Sequence, residues 1–150
     1  MRPMTQPLSA LTSTPGTYLL VIDLPSFAGT VGALGFIRLP EGRYAYAGSA
    51  LGPGGVTARV ARHCRPDKPL RWHIDYLTAA AQVTLVLQQT GNARLECRWA
   101  QALLGLEGAS APVPRFGASD CRSGCPSHLI RLPDGCDLTH LEALLCKTLT

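Results

Sequence analysis

Residues 42–64 join a strand sequence to a helical one through a run that is rich in glycine. Residues 42–47 include two tyrosines, which favour a strand, and glycines recur through residues 48–55. Helical spacing of apolar side chains follows over residues 56–64 and is stopped by Pro66. The 12 prolines and 15 glycines among 150 residues demand many turns, so a helical bundle or coiled coil is excluded.

The remaining patterns extend this unit into one domain of the α/β (α+β) class. A small central sheet, mixed or antiparallel, is expected over residues 16–150 with helices at its sides, after a flexible tail over residues 1–15. The 27 residues between Tyr18 and Tyr46 leave room for an additional hairpin in the sheet. The predicted elements are strands over 16–22, 31–39, 42–47, 82–89 and 127–132, a turn over 23–30, and helices over 56–64, 70–80, 95–104 and from Asp137 onward.

Each predicted helix has an apolar face directed at the core. In the first helix this face is formed by Val56, Val60 and Cys64, which leaves Arg59, Arg62 and His63 on one flank. The inward residues of the later helices are Leu70, Ile74 and Leu77, then Leu95, Trp99 and Leu103, and finally Leu138, Leu141, Leu145 and Leu149.

Arg59 and His63 lie four residues apart, so both side chains can address one ligand from the same face of a helix. Tyr46 lies shortly before them, at the end of the preceding strand. A guanidinium can neutralise charge on phosphorus, an imidazole can move a proton, and a phenol can orient or deprotonate water. The three side chains therefore predict a site for a phosphodiester, although a solvated helix face is the alternative.

Positive charge is concentrated near these residues. The chain carries +4 overall, whereas residues 38–71 hold seven basic and two acidic side chains. A polyanion such as nucleic acid is the expected partner. The polar residues within 76–93 exclude a membrane span there, and residues 1–15 lack the apolar core of a signal peptide. We therefore expect a soluble, cytoplasmic protein that does not enter membranes, and the sequence leaves its oligomeric state open.

The order of the motifs resembles that of the GIY-YIG nuclease superfamily. Residues 16–18 match the first signature strand, residues 46–48 match the second, and Arg59 with His63 matches the helix that follows. Closer similarity, over residues 46–52, 73–77, 119–121 and 127–129, is to an uncharacterised GIY-YIG-like subgroup. Members of that subgroup also occur fused to endonuclease III-type repair enzymes.

The resemblance implies hydrolysis of phosphodiester bonds with one divalent metal ion. Tyr18 or Tyr46 would help to activate water, Arg59 would hold the phosphate, and His63 would accept a proton or bind the phosphate. Glu96 best matches the family's metal-binding glutamate and would hold Mg²⁺ or Mn²⁺; its alternative is an exposed glutamate in the first turn of a helix. Contacts to nucleic acid are expected from Gly48, Ser49, Arg62, Arg65, Trp72 and His73.

Six cysteines are many for a chain without a secretory signal, and a disulfide framework is disfavoured for that reason. Cys121, Cys125 and His128 have the short spacing that lets thiolates and an imidazole share a structural Zn²⁺. Cys97 is a candidate for the fourth ligand, while Cys64 and Cys146 are expected to fill the core.

Three functions are compatible with the sequence. The first is a metal-dependent endonuclease acting on DNA, with single-stranded or damaged DNA as a possible substrate. The second is a nucleic-acid-binding module that keeps the fold without catalysis, and the third is a zinc-stabilised interaction domain. Composition does not distinguish DNA from RNA.

Overall fold

The structure is a computed structural model in which residues 13–65, 67–118 and 125–147 are described. The described residues form a single small α+β domain, as the sequence predicts. Its elements are β1 (Gly16–Leu24), β2 (Phe27–Thr30), a short 3-10 helix (Gly32–Leu34), β3 (Phe36–Leu39), β4 (Gly42–Ala50), α1 (Gly55–Cys64), α2 (His73–Thr78), β5 (Gln82–Thr90), α3 (Glu96–Leu104), β6 (Leu129–Arg131) and α4 (Leu138–Lys147).

The central sheet has four strands in the order β5-β1-β4-β6, and each pair is antiparallel. The register places Tyr18 opposite Gly48 and Leu20 opposite Tyr46. Because alternate residues of a strand share a face, the two tyrosines project from the same side of the sheet. The two predicted signature strands are therefore direct neighbours.

Both faces of the sheet are buried, which explains the continuous apolar run of β1. Tyr18, Leu20 and Ile22 belong to one core, which the sheet shares with α1 and α2. Leu19 and Val21 belong to a second core, which it shares with α3 and α4. The predicted arrangement of a small sheet flanked by helices is confirmed.

The additional hairpin exists but does not enter the central sheet. Strands β2 and β3 pair with each other as a separate two-stranded sheet. The predicted turn over residues 23–30 is wrong, since β1 continues to Leu24 and β2 begins at Phe27. The predicted strand over residues 31–39 is interrupted by the 3-10 helix, with Gly35 at a φ of 80°.

Helix α2 is shorter than the predicted helix over residues 70–80. The Oδ2 atom of Asp75 accepts hydrogen bonds from the backbone N–H groups of Arg71 and Trp72, both at 2.8 Å. This capping starts the helix at His73. The prediction that Leu70 is buried is wrong, because its side chain is 50% exposed.

The later helices follow their predicted faces. Leu95, Trp99 and Leu103 are buried against the second core. Asp137 precedes α4, and its Oδ1 atom accepts a hydrogen bond of 3.0 Å from the N–H of Thr139. Leu141 and Leu145 are buried as expected, whereas position 149 lies outside the described residues.

The predicted burial of Cys64 and Cys146 is wrong, since both cysteines are exposed. Helix α1 instead buries Val56, Val60 and His63. Helical geometry places residue 63, seven positions after Val56, close to the axis of that face. A histidine takes the core position that the sequence pattern assigned to a cysteine.

Most of the predicted tail, residues 1–12, lies outside the described residues. The carbonyl oxygens of Thr14 and Pro15 accept hydrogen bonds from the N–H groups of Val56 and Gly91, at 3.3 and 2.9 Å. No helix among the described residues has the length and apolar character needed to cross a membrane.

Candidate active site

A cleft of about 620 Å³ opens at one end of the sheet, where the first residues of β1 and the last residues of β4 meet α1 and α3. Residues from both sides of the sheet line it. Among them are all four predicted catalytic residues and the predicted metal ligand, namely Tyr18, Tyr46, Arg59, His63 and Glu96.

The Tyr18 hydroxyl and the His63 imidazole form a buried hydrogen bond inside the cleft. The hydroxyl oxygen lies 2.8 Å from Nε2 of His63. The other ring nitrogen, Nδ1, lies 3.8 Å from Oδ1 of Asp75, a carboxylate that is fully buried. A carboxylate on this side favours the tautomer with hydrogen on Nδ1, so Nε2 accepts the proton of Tyr18.

Burial keeps His63 neutral near pH 7. Desolvation lowers its pKa below 6.5 and outweighs the opposing effect of Asp75, while Arg59 and Arg62 lower it further. Asp75 itself stays ionised. Burial alone would raise the pKa of Asp75, but His63, Arg62 and two backbone N–H groups hold it well below its usual range. The pair is a neutral base supported by a fixed negative charge.

The two phenols are weak acids in this environment. Burial raises the pKa of Tyr18 well above 10, and the adjacent Tyr46 adds to the rise while Arg59 reduces it. Burial likewise raises the pKa of Tyr46 to about 12, in spite of Arg59. Neither tyrosine can act as a free phenolate near neutral pH. Any transfer of a proton from Tyr18 must occur through its partner, His63.

Gly48 makes room for the phenol of Tyr18. A Cβ atom at position 48 would lie 2.6 Å from both Cζ and the hydroxyl oxygen of Tyr18. Gly48 lies opposite Tyr18 in the register of β1 and β4, which explains this contact. The glycine of the second signature is therefore needed because the tyrosine of the first signature lies across its backbone.

Arg59 and Arg62 contact the same tryptophan but serve different partners. The guanidinium carbon of each lies 4.3 Å from the ring of Trp72. Arg59 also donates to the carbonyl of Ser49 at 3.3 Å and lines the cleft. Arg62 donates to both carboxylate oxygens of Asp75, at 2.7 and 3.0 Å. Arg59 thus faces the cleft, whereas Arg62 neutralises a buried charge.

Glu96 lies in the first turn of α3 and reaches the cleft from the opposite side of the sheet. Its carboxylate accepts a hydrogen bond from the hydroxyl of Ser49. The buried hydroxyl of Thr17 accepts a hydrogen bond of 3.2 Å from the N–H of Leu95, directly before the helix. Thr17, the middle residue of the first signature, therefore fixes the position of α3 and with it Glu96.

The sequence model of one family, described as the domain of unknown function DUF123, matches residues 17–149. The chain belongs to the DUF123 family. The matched region includes every residue of the cleft described above. No curated protein and no solved structure matches this DUF123 chain.

Other residues that the sequence assigned to nucleic-acid contact are placed differently within the DUF123 domain. Gly48 is buried and lines the cleft together with Ser49 and Trp72. His73 does not line it, because its Nδ1 atom accepts a hydrogen bond of 2.8 Å from the N–H of Gly117. Arg65 is exposed beyond the end of α1.

The basic surface around the cleft is smaller than the sequence suggests. Arg43 pairs with Asp23 at 2.9 Å, at the opposite end of the two strands. The Nζ atom of Lys68 is used to cap α1, donating to the carbonyls of His63 and Arg65 at 2.9 and 2.8 Å. The charge of Arg62 is also used internally, as described above.

Cys97, Cys125 and His128 meet in the wall of the cleft of the DUF123 domain. Their sulfur and nitrogen atoms lie within 4.8 Å of one another, and the two cysteines are joined as a disulfide. The expectation against disulfides is wrong for this pair, because the fold brings α3 beside the segment before β6 and so joins two cysteines that are 28 residues apart in the chain. The predicted zinc ligand Cys121 lies outside the described residues.

Sequence reasoning missed three contributors to the cleft, namely Leu51, Arg94 and Gly117. Arg94, just before α3, lines it beside Glu96. Gly117 also lines it, at a φ of 68°, and a Cβ atom there would lie 2.7 Å from the ring of Tyr46. The run from residue 115 to 118 carries no regular hydrophobic pattern. It reaches Tyr46 through His128, whose N–H donates to the carbonyl of Phe116 and whose carbonyl accepts from Ala47.

Proposed function

We propose that this domain is a metal-dependent endonuclease of the GIY-YIG type that hydrolyses phosphodiester bonds in DNA. The convergence of Tyr18, Tyr46, Arg59, His63 and Glu96 on one cleft carries the proposal. A base, a fixed cation and a carboxylate in one concave site are the groups that phosphoryl chemistry requires. The resemblance to proteins fused to endonuclease III-type repair enzymes favours damaged or single-stranded DNA, acted on in the cytoplasm.

The Tyr18–His63 hydrogen bond suggests how a tyrosine with a high pKa can activate water. As the attacking water gives a proton to the hydroxyl oxygen of Tyr18, the hydroxyl passes its own proton to Nε2 of His63. The tyrosine stays neutral overall, and the new imidazolium faces the carboxylate of Asp75, at 3.8 Å. The oxygen of water then bonds to phosphorus while the bond to the leaving 3′ oxygen breaks.

Arg59 is the residue placed to bind the phosphate. Its guanidinium lines the cleft and packs on Trp72, which restricts its motion. A planar, permanently charged group is suited to the oxygens of a phosphodiester whose negative charge grows during attack. Trp72 also lines the cleft, so its edge can contact a base adjacent to the cut while its ring packs against the two guanidinium groups.

Glu96 fits the role of metal ligand. It is the single carboxylate among the described residues that line the cleft, and it is half-buried there. One carboxylate with several waters is a common environment for Mg²⁺. Glu96 would hold Mg²⁺ or Mn²⁺, and such an ion would supply positive charge to stabilise the leaving oxygen.

The direct test is cleavage of plasmid and oligonucleotide DNA by purified protein with Mg²⁺ or Mn²⁺. We expect metal-dependent nicking that a chelator stops and that the Arg59→Ala variant loses. Tyr44→Phe is the control for a substitution outside the cleft, because Tyr44 is buried in β4 and donates to the carbonyl of Pro40 away from the cleft. Equal cleavage by wild type and Arg59→Ala would contradict the assignment.

The rival function is a nucleic-acid-binding module without catalysis. The hydrogen bond between Ser49 and Glu96, the sole carboxylate among the described residues of the cleft, favours this rival. A carboxylate that already accepts a hydrogen bond is less available to a metal ion. This rival predicts DNA binding that weakens as salt rises, with no cleavage under any metal. A binding titration run beside the cleavage assay separates the two.

A further inference from the structure

The Cys97, Cys125 and His128 cluster is a candidate site for a second kind of metal. Nε2 of His128 lies 3.1 Å from Sγ of Cys125 and 3.6 Å from Sγ of Cys97. Cys125 and His128 are almost fully buried, with 1% and 6% of their surface exposed. One imidazole nitrogen is therefore directed at two sulfur atoms within the protein.

A disulfide accounts for the close approach of the two sulfur atoms but gives Nε2 of His128 only weak hydrogen-bond partners. Sulfur is a weak hydrogen-bond acceptor, and a disulfide has no S–H hydrogen to donate to a ring nitrogen. A buried polar atom with weak partners is costly. Two thiolates and a neutral imidazole around one cation would give all three groups a strong partner.

The histidine is also held as metal-binding histidines are. Its ring makes a hydrogen bond with the backbone of Gly117 while Nε2 faces the sulfurs. Its own backbone is fixed on both sides, since its N–H donates to the carbonyl of Phe116 at 2.8 Å and its carbonyl accepts from Ala47 at 3.0 Å. Such outer contacts orient a ligand before metal binds.

We propose that, when both thiols are reduced, Cys97, Cys125 and His128 bind Zn²⁺ in the wall of the cleft. Two sulfurs and one imidazole select Zn²⁺ over the hard ions that Glu96 would take. Cys97 and His128 both line the cleft, so a fourth ligand would reach the ion from the cleft. Binding releases the two thiol protons. Opening the disulfide first takes two electrons from a thiol or phosphine reductant and two protons, which come from the thiol or, with a phosphine, from the water that converts it to the phosphine oxide.

Zinc at this position would join α3 to the segment before β6. Cys97 directly follows Glu96 in the first turn of α3, whereas Cys125 and His128 belong to the segment that leads into β6. A metal bond between the two would hold the first turn of α3 against the cleft. The proposal concerns metal binding alone, and its test is independent of any nuclease activity.

The test uses the full chain, reduced with a phosphine under anaerobic conditions, freed of metal and titrated with Zn²⁺ or Co²⁺. We expect about one ion per chain and the thiolate-to-cobalt absorption bands of sulfur coordination. Cys97→Ser and Cys125→Ser should abolish these bands and lower zinc affinity by about 100-fold or more. Cys64→Ser and Cys146→Ser are matched controls, because both residues are exposed and separate from the cluster.

Two results would overturn the proposal. One is reduced wild-type protein that binds no zinc, and the other is unchanged binding in the Cys97→Ser, Cys125→Ser double variant. X-ray absorption at the zinc edge of the wild-type protein guards against variants that fail to fold. It should show sulfur together with imidazole nitrogen around zinc, and a shell of oxygen and nitrogen without sulfur would equally reject the site.

Discussion

The hydroxyl of Tyr18 lies 2.8 Å from Nε2 of His63, within a cleft that also holds Arg59 and Glu96. Tyr18 comes from the first strand and His63 from the first helix, 45 residues later. In the proposed mechanism this contact would carry a proton from Tyr18 to His63. The high pKa of the phenol would then be no obstacle, because Tyr18 would exchange a proton rather than lose one.

If Tyr18 and His63 act as one unit, removing either should have the same effect as removing both. We expect Tyr18→Phe and His63→Ala each to lower the rate of DNA cleavage by about 100-fold or more. The double variant should be little slower than the single variants. Single-turnover cleavage rates measure this, with Tyr44→Phe as the control. Losses that multiply in the double variant would show that the two side chains act separately.

Gly48→Ala should disable the cleft without unfolding the protein. The added Cβ would lie 2.6 Å from the hydroxyl oxygen of Tyr18, so the phenol must move away from His63. We expect a loss of cleavage comparable to that of Tyr18→Phe, with retained circular dichroism. Gly52→Ala is the matched control, because no atom lies within 4 Å of its added Cβ. Full activity in Gly48→Ala would mean that the position of the phenol does not matter.

Substitution of the two arginines that pack on Trp72 should have different effects, one on stability and the other on DNA cleavage. Arg62→Ala leaves the buried carboxylate of Asp75 without its main cation, which should lower the free energy of unfolding by about 3–5 kcal/mol. Arg59→Ala should change stability by at most about 1 kcal/mol, yet weaken DNA cleavage strongly. Urea unfolding and cleavage assays of both variants test the distinction. The opposite pattern would exchange the roles assigned to the two residues.

Acid should destabilise the protein through His63. Its folded pKa is lowered below the value of 6.5, so the unfolded chain binds a proton more readily than the folded one. The associated stability is fully present above pH 6.5 and is lost as the pH falls from there to the folded pKa. Asp75, with a lowered pKa, adds a loss below about pH 4.

Urea unfolding at a series of pH values checks this dependence. The free energy of unfolding should decrease from pH 7.5 to pH 5 in the wild type and decrease less in His63→Gln. Part of the dependence should remain in the variant, because burial also lowers the pKa of His128. A variant with the same pH dependence as the wild type would show that His63 is not the group responsible.

Local patterns predicted much of the fold. The run of β1 was readable because it is continuously apolar, and the inward faces of α3 and α4 were readable because their apolar residues recur at helical spacing. The length of α2 was not, since its start depends on the side chain of Asp75 bonding to the backbone of Arg71 and Trp72. The hairpin over residues 27–39 was misread because two glycines with positive φ break a run of strand-forming residues.

From the residue pattern alone, the candidate site was predictable only where residues are close in sequence, and Tyr18 and Glu96 were assigned to it through the family resemblance. Arg59 and His63 share a helix, and their common orientation follows from their spacing. The burial of His63 beside Asp75, and the internal use of Arg62, depend on how α1 packs on α2. Cys97 and Cys125 are 28 residues apart in sequence, and they meet because α3 packs beside β6. Contacts of this kind have no local signature.

The most direct test of the proposed nuclease is Mn²⁺-dependent cleavage of single-stranded and duplex DNA by wild type and Glu96→Gln. The substitution keeps the size of the side chain and its hydrogen bond to Ser49 but removes the charge that would hold the metal. We expect wild type to cut, and Glu96→Gln to bind DNA with similar affinity while cutting about 100-fold more slowly or not at all. Equal cutting by both proteins, or binding by wild type without cleavage, would contradict the assignment of this cleft as a metal-dependent nuclease site.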